Sequence, residues 1–312
     1  MDSKTIDILW NTAQTFTVLN IAAEIYLFVA LLAYGLHRKH HPTSLFLVSL
    51  ACPLASLLNL AVTQVHLVNA VAPLHNQNGT TAADMCNLLH RIKAGVFYVS
   101  ALPAFLFLWL RQRILYRKPV IKLLFSRPVA ALSTFAIAVI VGGGAGAVAV
   151  KIKQSDYNAT GYGCVSNPSV ERHHYVKWAA SGGFAVSLVI LFGLFVYPLV
   201  HHRLKIHSTG TLRSAGNDDI VYRAIRQSAV GLSMCVLADL VVIVVVSAVF
   251  PRHWPRYSTG ILYDASLLVH SLAIVFCYDA HCEILAPSCG GGGGRRDETT
   301  PAKSVASNLT SV

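Results

Sequence analysis

Residues 84–119 read DMCNLLHRIKAGVFYVSALPAFLFLWLRQRILYRKP, and this stretch decides the fold. It opens beside a cysteine, continues through an apolar run and ends in Arg111, Arg113, Arg117 and Lys118. About 20 apolar residues cross the ~30 Å hydrocarbon core as a helix, and a closing burst of cations marks the cytosolic side. Cys86 precedes Arg111 by 25 residues, and a second isolated cysteine, Cys164, sits in a later polar loop.

Working outward, the rest of the chain has the same character. It is 54% hydrophobic and only 12% charged over 312 residues, with a mean hydropathy of +0.54. Soluble domains carry about 25% charged residues, so the composition is that of an integral membrane protein in contact with lipid. The formal charge of +11 would suggest nucleic acid in a soluble chain. Here the cations collect at the ends of apolar runs, which marks topology, and no nucleic-acid partner is expected. The seven cysteines fall singly without a CxxC pair, which disfavours a zinc site. No cleavable leader pattern precedes the first apolar run, so that run is expected to serve as the targeting signal.

Seven spanning segments are expected, at Thr15–Leu36, Ser44–Val71, Met85–Leu110, Pro128–Val150, Tyr175–Val200, Ala224–Phe250 and Thr259–Asp279. The predicted fold class is all-α, a seven-transmembrane helix bundle with the N-terminus extracellular and the C-terminus cytoplasmic. Residues 1–14 would be a short extracellular N-terminus, 15–279 the helical domain and 280–312 a disordered cytoplasmic tail. With this orientation 16 of the 25 Lys and Arg residues fall inside. The sequons at Asn78 and Asn158 fall outside, where glycosylation occurs, and so do Cys86 and Cys164, where the environment is oxidising. No internal repeat is visible, which counts against the duplicated folds of many transporters.

The Cys86–Arg111 spacing together with Cys164 resembles rhodopsin-like seven-helix receptors, the class A G-protein-coupled receptors. The resemblance implies a Cys86–Cys164 disulfide tying the third helix to the second outer loop; the alternative is two free cysteines. It also implies that Arg111, with Arg113 and Arg226 on the basic inner rim, meets a heterotrimeric G protein; the alternative is ordinary positive-inside residues. The chain departs from the family pattern at several points. The triplet is Leu110-Arg111-Gln112, without its acid or tyrosine. Val236 and Ala238 stand where a tryptophan and a proline belong, and the seventh segment reads HSLAIVF in place of Asn-Pro-x-x-Tyr. No lysine lies between Arg256 and Lys303, which disfavours a retinal pigment, and no cofactor is expected.

Lys93 lies seven residues below Cys86 on the same helix face, at the depth where amine receptors of this family carry an aspartate. A lysine there suggests an anionic ligand of unknown identity, with Arg91 and His90 a turn or less above it. The alternative is internal pairing of Lys93 with Glu24, Asp239 or Asp264, since ionisable groups inside a bilayer are costly unless paired or wet. Asp239 and Asp264 are candidate ligand contacts on the same grounds.

On the cytosolic side Cys282 and Cys289 are candidates for palmitoylation or free thiols. The terminal Thr310-Ser311-Val312 resembles a ligand for a PDZ domain, although such short motifs also arise by chance. A plasma-membrane receptor is thus the expected function, with a transporter or channel as the alternative. An enzyme is not expected, because His66, His90 and His270 are too few and scattered for a hydrolytic zinc centre.

Overall fold

A computed structural model describes residues 3–37, 44–71, 79–116, 127–154, 157–160, 163–166, 186, 189–194, 196–197, 215–248, 256–278 and 284–285. They form α1 (Ser3–His37), α2 (Ser44–Val71), α3 (Gly79–Tyr116), α4 (Arg127–Gln154), β1 (Tyr157–Thr160), β2 (Gly163–Ser166), α5 (Ala215–Ala248) and α6 (Arg256–Phe276). Each of the six helices contains a window long and apolar enough to cross a bilayer. The protein is a multi-pass membrane protein.

The helices are sided in the manner lipid demands. On α1, Ala13, Thr17, Asn20, Glu24, Leu27 and Leu31 are buried at spacings of three and four residues, the repeat of one helical face. Val18, Leu19, Tyr26, Val29 and Leu36 point outward and are 48–72% exposed. An apolar surface this continuous has no place in water. The polar groups face inward, where they find partners, because lipid offers none.

Pro53 lies inside α2 and Pro103 inside α3. Each removes one backbone donor, and both helices continue through. With 38 residues, α3 is about 57 Å long at ~1.5 Å per residue, well beyond the ~30 Å hydrocarbon core. It therefore reaches past the membrane at both ends, carrying Cys86 near one and Arg111 near the other.

The axis of the bundle is α6. It packs on α1, α2, α3 and α5, and 56% of its membrane window is buried against 24–33% for the other five. The main apolar core is built from Phe105, Phe107 and Leu108 of α3, Ile140 of α4, Leu232 and Cys235 of α5, and Ala273 and Ile274 of α6. Leu191, from the helical residues 189–194, joins it. The remainder of the expected fifth span, 175–200, lies largely outside the described residues.

β1 and β2 pair antiparallel with Tyr157 opposite Ser166 and Thr160 opposite Gly163. This hairpin is an addition to the all-helical expectation. It rests on the Cys86 end of α3 and touches α2 and α6.

Candidate functional site

Cys86 and Cys164 are joined by a disulfide with an S–S distance of 1.99 Å, and both are buried. The bond fastens β2 to α3 and so holds the hairpin against that end of the bundle.

Two turns further along α3, Lys93 enters a polar cluster built by three helices. Its Nζ donates to Thr63 Oγ1 of α2 at 2.7 Å and lies 3.7 Å from Asp264 Oδ2 of α6. Asp264 Oδ1 accepts from Asn59 Nδ2 at 2.7 Å and from Thr63 Oγ1 at 3.4 Å. The Lys93 side chain is 12% exposed and that of Asp264 1%. Gly260, one turn before Asp264 on α6, makes the approach possible. A Cβ there would stand 2.8 Å from Lys93 Nζ. His66, one turn along α2 from Thr63, is buried, and its Nε2 has no hydrogen-bond partner among the described residues.

Two further carboxylates lie deeper, each against another side of α6. Glu24 Oε1 of α1 accepts from Ser56 Oγ of α2 at 2.7 Å and from Ser271 Oγ of α6 at 3.1 Å. Asp239 Oδ1 of α5 accepts from Ser266 Oγ of α6 at 2.7 Å. His270 Nε2 lies 3.3 Å from the same oxygen without making a hydrogen bond to it. The His270 ring meets Phe105 of α3 edge-on at 5.3 Å. Residues 264 and 271 are seven apart and share a face of α6, whereas 266 and 270 are four apart and share another. One helix thus distributes its polar side chains among all its neighbours.

At the far end of α3, Arg111 Nε donates to Ser228 Oγ of α5 at 2.5 Å. Gln112 Oε1 accepts from Ser133 Oγ of α4 at 3.0 Å. The exposed Arg113 stacks its guanidinium over Trp109, 4.5 Å from the ring centre. Tyr278, just past α6, donates to Ser49 Oγ of α2 at 2.9 Å. Tyr26 of α1 donates to the Leu285 carbonyl, and Ile284 is buried beside Leu27 and Leu31.

The structure therefore brings Lys93 and Asp264 together and holds Asp239 on the opposite flank of α6, away from that pair. His90 is half-buried, and Arg91, Arg113 and Arg226 are exposed. Asn158 lies in β1, opposite Val165. Asn78, Cys282, Cys289, Thr310 and Val312 lie outside the described residues. Sequence reasoning passed over the hydroxyl and amide partners: Ser56, Asn59, Thr63, Ser228, Ser266 and Ser271. Their signal was present in α2, where Ser49, Ser56, Asn59, Thr63 and His66 recur at helical spacing, a polar stripe with no use on a lipid-facing surface. No protein-family model matches the chain, and comparison with curated proteins gives no match.

Proposed function

We propose that the chain is a plasma-membrane receptor with seven helices, its N-terminus outside, that passes an extracellular ligand signal to a heterotrimeric G protein. The observation that carries this reading is the span of α3. One helix is disulfide-bonded to a hairpin at one end, presents Lys93 two turns below, and ends in an arginine latched to α5. The additional span in this reading is the fifth segment expected from the sequence, Tyr175–Val200. The orientation rests on the Lys and Arg distribution and on the sequons at Asn78 and Asn158.

The ligand in this reading carries an anionic group, a carboxylate or phosphate, that competes with Asp264 for Lys93. A ligand switches a two-state protein only by binding one state better than the other. Taking the ammonium from Asp264 gives such a difference, since it alters what α2 and α3 hold on α6. Because α6 also packs on α5, the change is delivered to the helix that Arg111 grips. The basic rim of Arg111, Arg113 and Arg226 is the partner surface. Palmitoylation of Cys282 and Cys289 and a PDZ partner at Thr310–Val312 belong to the same cytosolic side.

Expression with each G-protein class, in the presence of panels of anionic metabolites and acidic peptides, tests the reading. Coupling that is lost in Lys93→Met at equal surface expression supports it. Silence in every combination, with the protein at the cell surface, sinks it.

A transporter or channel is the second reading. Glu24, Lys93, Asp239, Asp264 and His270 within the bundle favour it, since ionisable groups at membrane depth also line ion paths. Ion or solute flux into liposomes holding the purified chain would replace the receptor reading with this one.

A further inference from the structure

Glu24 stands apart from the other two carboxylates of the bundle. It is 0% exposed. Its Oε1 accepts two serine hydroxyls, while its Oε2 has no hydrogen-bond partner among the described residues. Asp264 has Lys93 at 3.7 Å and Asp239 has His270 at 3.3 Å. No described cationic side chain makes an ion pair with Glu24.

Hydroxyl dipoles soften a buried negative charge but do not cancel it, and an unpaired ion inside hydrocarbon is the costliest arrangement available to a side chain.

We propose that Glu24 is a proton-binding site: the closed bundle carries a proton on this carboxyl at neutral pH, and withdrawing it loosens α1 from α2 and α6. The proton goes to Oε2, because Oε1 is already occupied by the Ser56 and Ser271 hydroxyls. A neutral O–H without an acceptor costs far less at this depth than an unpaired anion.

The groups facing the site are known from each helix packed on it. From α2 come Ser56 and Cys52, whose Sγ is 3.7 Å from Ser271 Oγ. From α6 come Ser271 and His270, and behind His270 stands Asp239 of α5. The Lys93 ammonium of α3 is engaged with Thr63 and Asp264. The sign follows from linkage: closing takes up the proton and opening to water releases it, so acid favours the closed bundle and alkali the open one.

The test uses the full chain in lipid nanodiscs and needs no ligand, so its outcome is independent of the receptor reading. Infrared spectra at neutral pH, in sodium and in potassium buffer, are compared for the wild type and Glu24→Gln. The expected result is a protonated-carboxyl carbonyl band in both buffers that is missing from Glu24→Gln. The unfolding temperature of the wild type falls as the medium becomes alkaline, and that of Glu24→Gln falls less. An equal band in both proteins overturns the proposal, and so does a band that disappears in sodium, which would give the site to a metal cation. Should Glu24→Gln fail to fold, wild type grown with heavy-carbon glutamate serves instead. The band must then shift to lower frequency, and an unshifted band overturns the proposal.

Discussion

Two glycines on facing helices show how much a single methyl group can report. At Gly231 of α5, an added Cβ would stand 2.8 Å from Cys277 Sγ and 3.0 Å from the Ala273 carbonyl oxygen. The second is backbone of α6 and cannot step aside. Gly231→Ala is expected to cost about 1–3 kcal/mol, the usual range for overpacking, read as a lower unfolding temperature in detergent. At Gly260 the obstructing atom is Lys93 Nζ, the free end of a flexible stem. The helix-propensity gain of Ala over Gly, about 1 kcal/mol, offsets a weakened pair there. Gly260→Ala should therefore shift the ammonium slightly without parting it from Thr63 and Asp264, leaving unfolding within about 1 kcal/mol of wild type. The pair itself is open to a double-mutant cycle. Lys93→Met leaves a buried carboxylate uncompensated and should cost about 3–5 kcal/mol. Asp264→Asn in the same chain should recover most of that loss, and additive losses would show that the two side chains do not interact.

At the scale of elements, the expected boundaries succeed where hydropathy and helix coincide. The predicted second span, Ser44–Val71, is α2 as observed, because the whole helix is apolar. The first span was expected from Thr15, yet α1 begins at Ser3. Lys4, Asp7, Asn11 and Gln14 belong to turns of the same helix, and a reading for lipid-compatible residues stops where they begin. The third and sixth spans are extended for the same reason: α3 reaches Tyr116 through its arginines and α5 starts at Ala215, amid Asn217, Asp218 and Asp219. The hairpin was legible and passed over. Two four-residue runs, YNAT and GCVS, are separated by Gly161-Tyr162, the length of a tight two-residue connection with glycine first. Its bond to α3 is testable. Cys86→Ser and Cys164→Ser should each lower stability by about 2–4 kcal/mol, towards the smaller figure because the membrane already confines the unfolded helices. The double variant should match either single one, and a summed loss would mean that each thiol acts alone.

Among the described residues of the whole molecule, carboxylates, amides and hydroxyls gather around α6 beside the apolar core, while many leucines and valines also face outward. Composition announces the lipid-facing part of this, since 54% hydrophobic residues must cover something. The inward part is harder to read. Which serine meets which carboxylate depends on the rotation of six helices about their axes, and a polar residue in an apolar run looks the same on any of them. Lys93, Asp239 and Asp264 were singled out as charges, but their sorting into one pair across α3 and α6 and another across α5 and α6 is a property of packing alone. Interhelical hydrogen bonds in membranes average only about 0.6 kcal/mol. The set around α6 therefore fixes rotation and register as much as it adds stability.

The return of Ile284 and Leu285 to α1 ties the segment that follows α6 back onto the first helix. Ile284 is 2% exposed beneath Leu27 and Leu31, and the Leu285 carbonyl accepts the Tyr26 hydroxyl. A chain stopped after Leu285 keeps this seam and should melt with the full-length protein. One stopped after Tyr278 uncovers the flank of α1 and should lose about 2 kcal/mol, the worth of one buried aliphatic side chain. A reporter or affinity handle is then tolerated beyond residue 285 and damaging if inserted before it, because the two extremities of the helical domain are sewn to each other there.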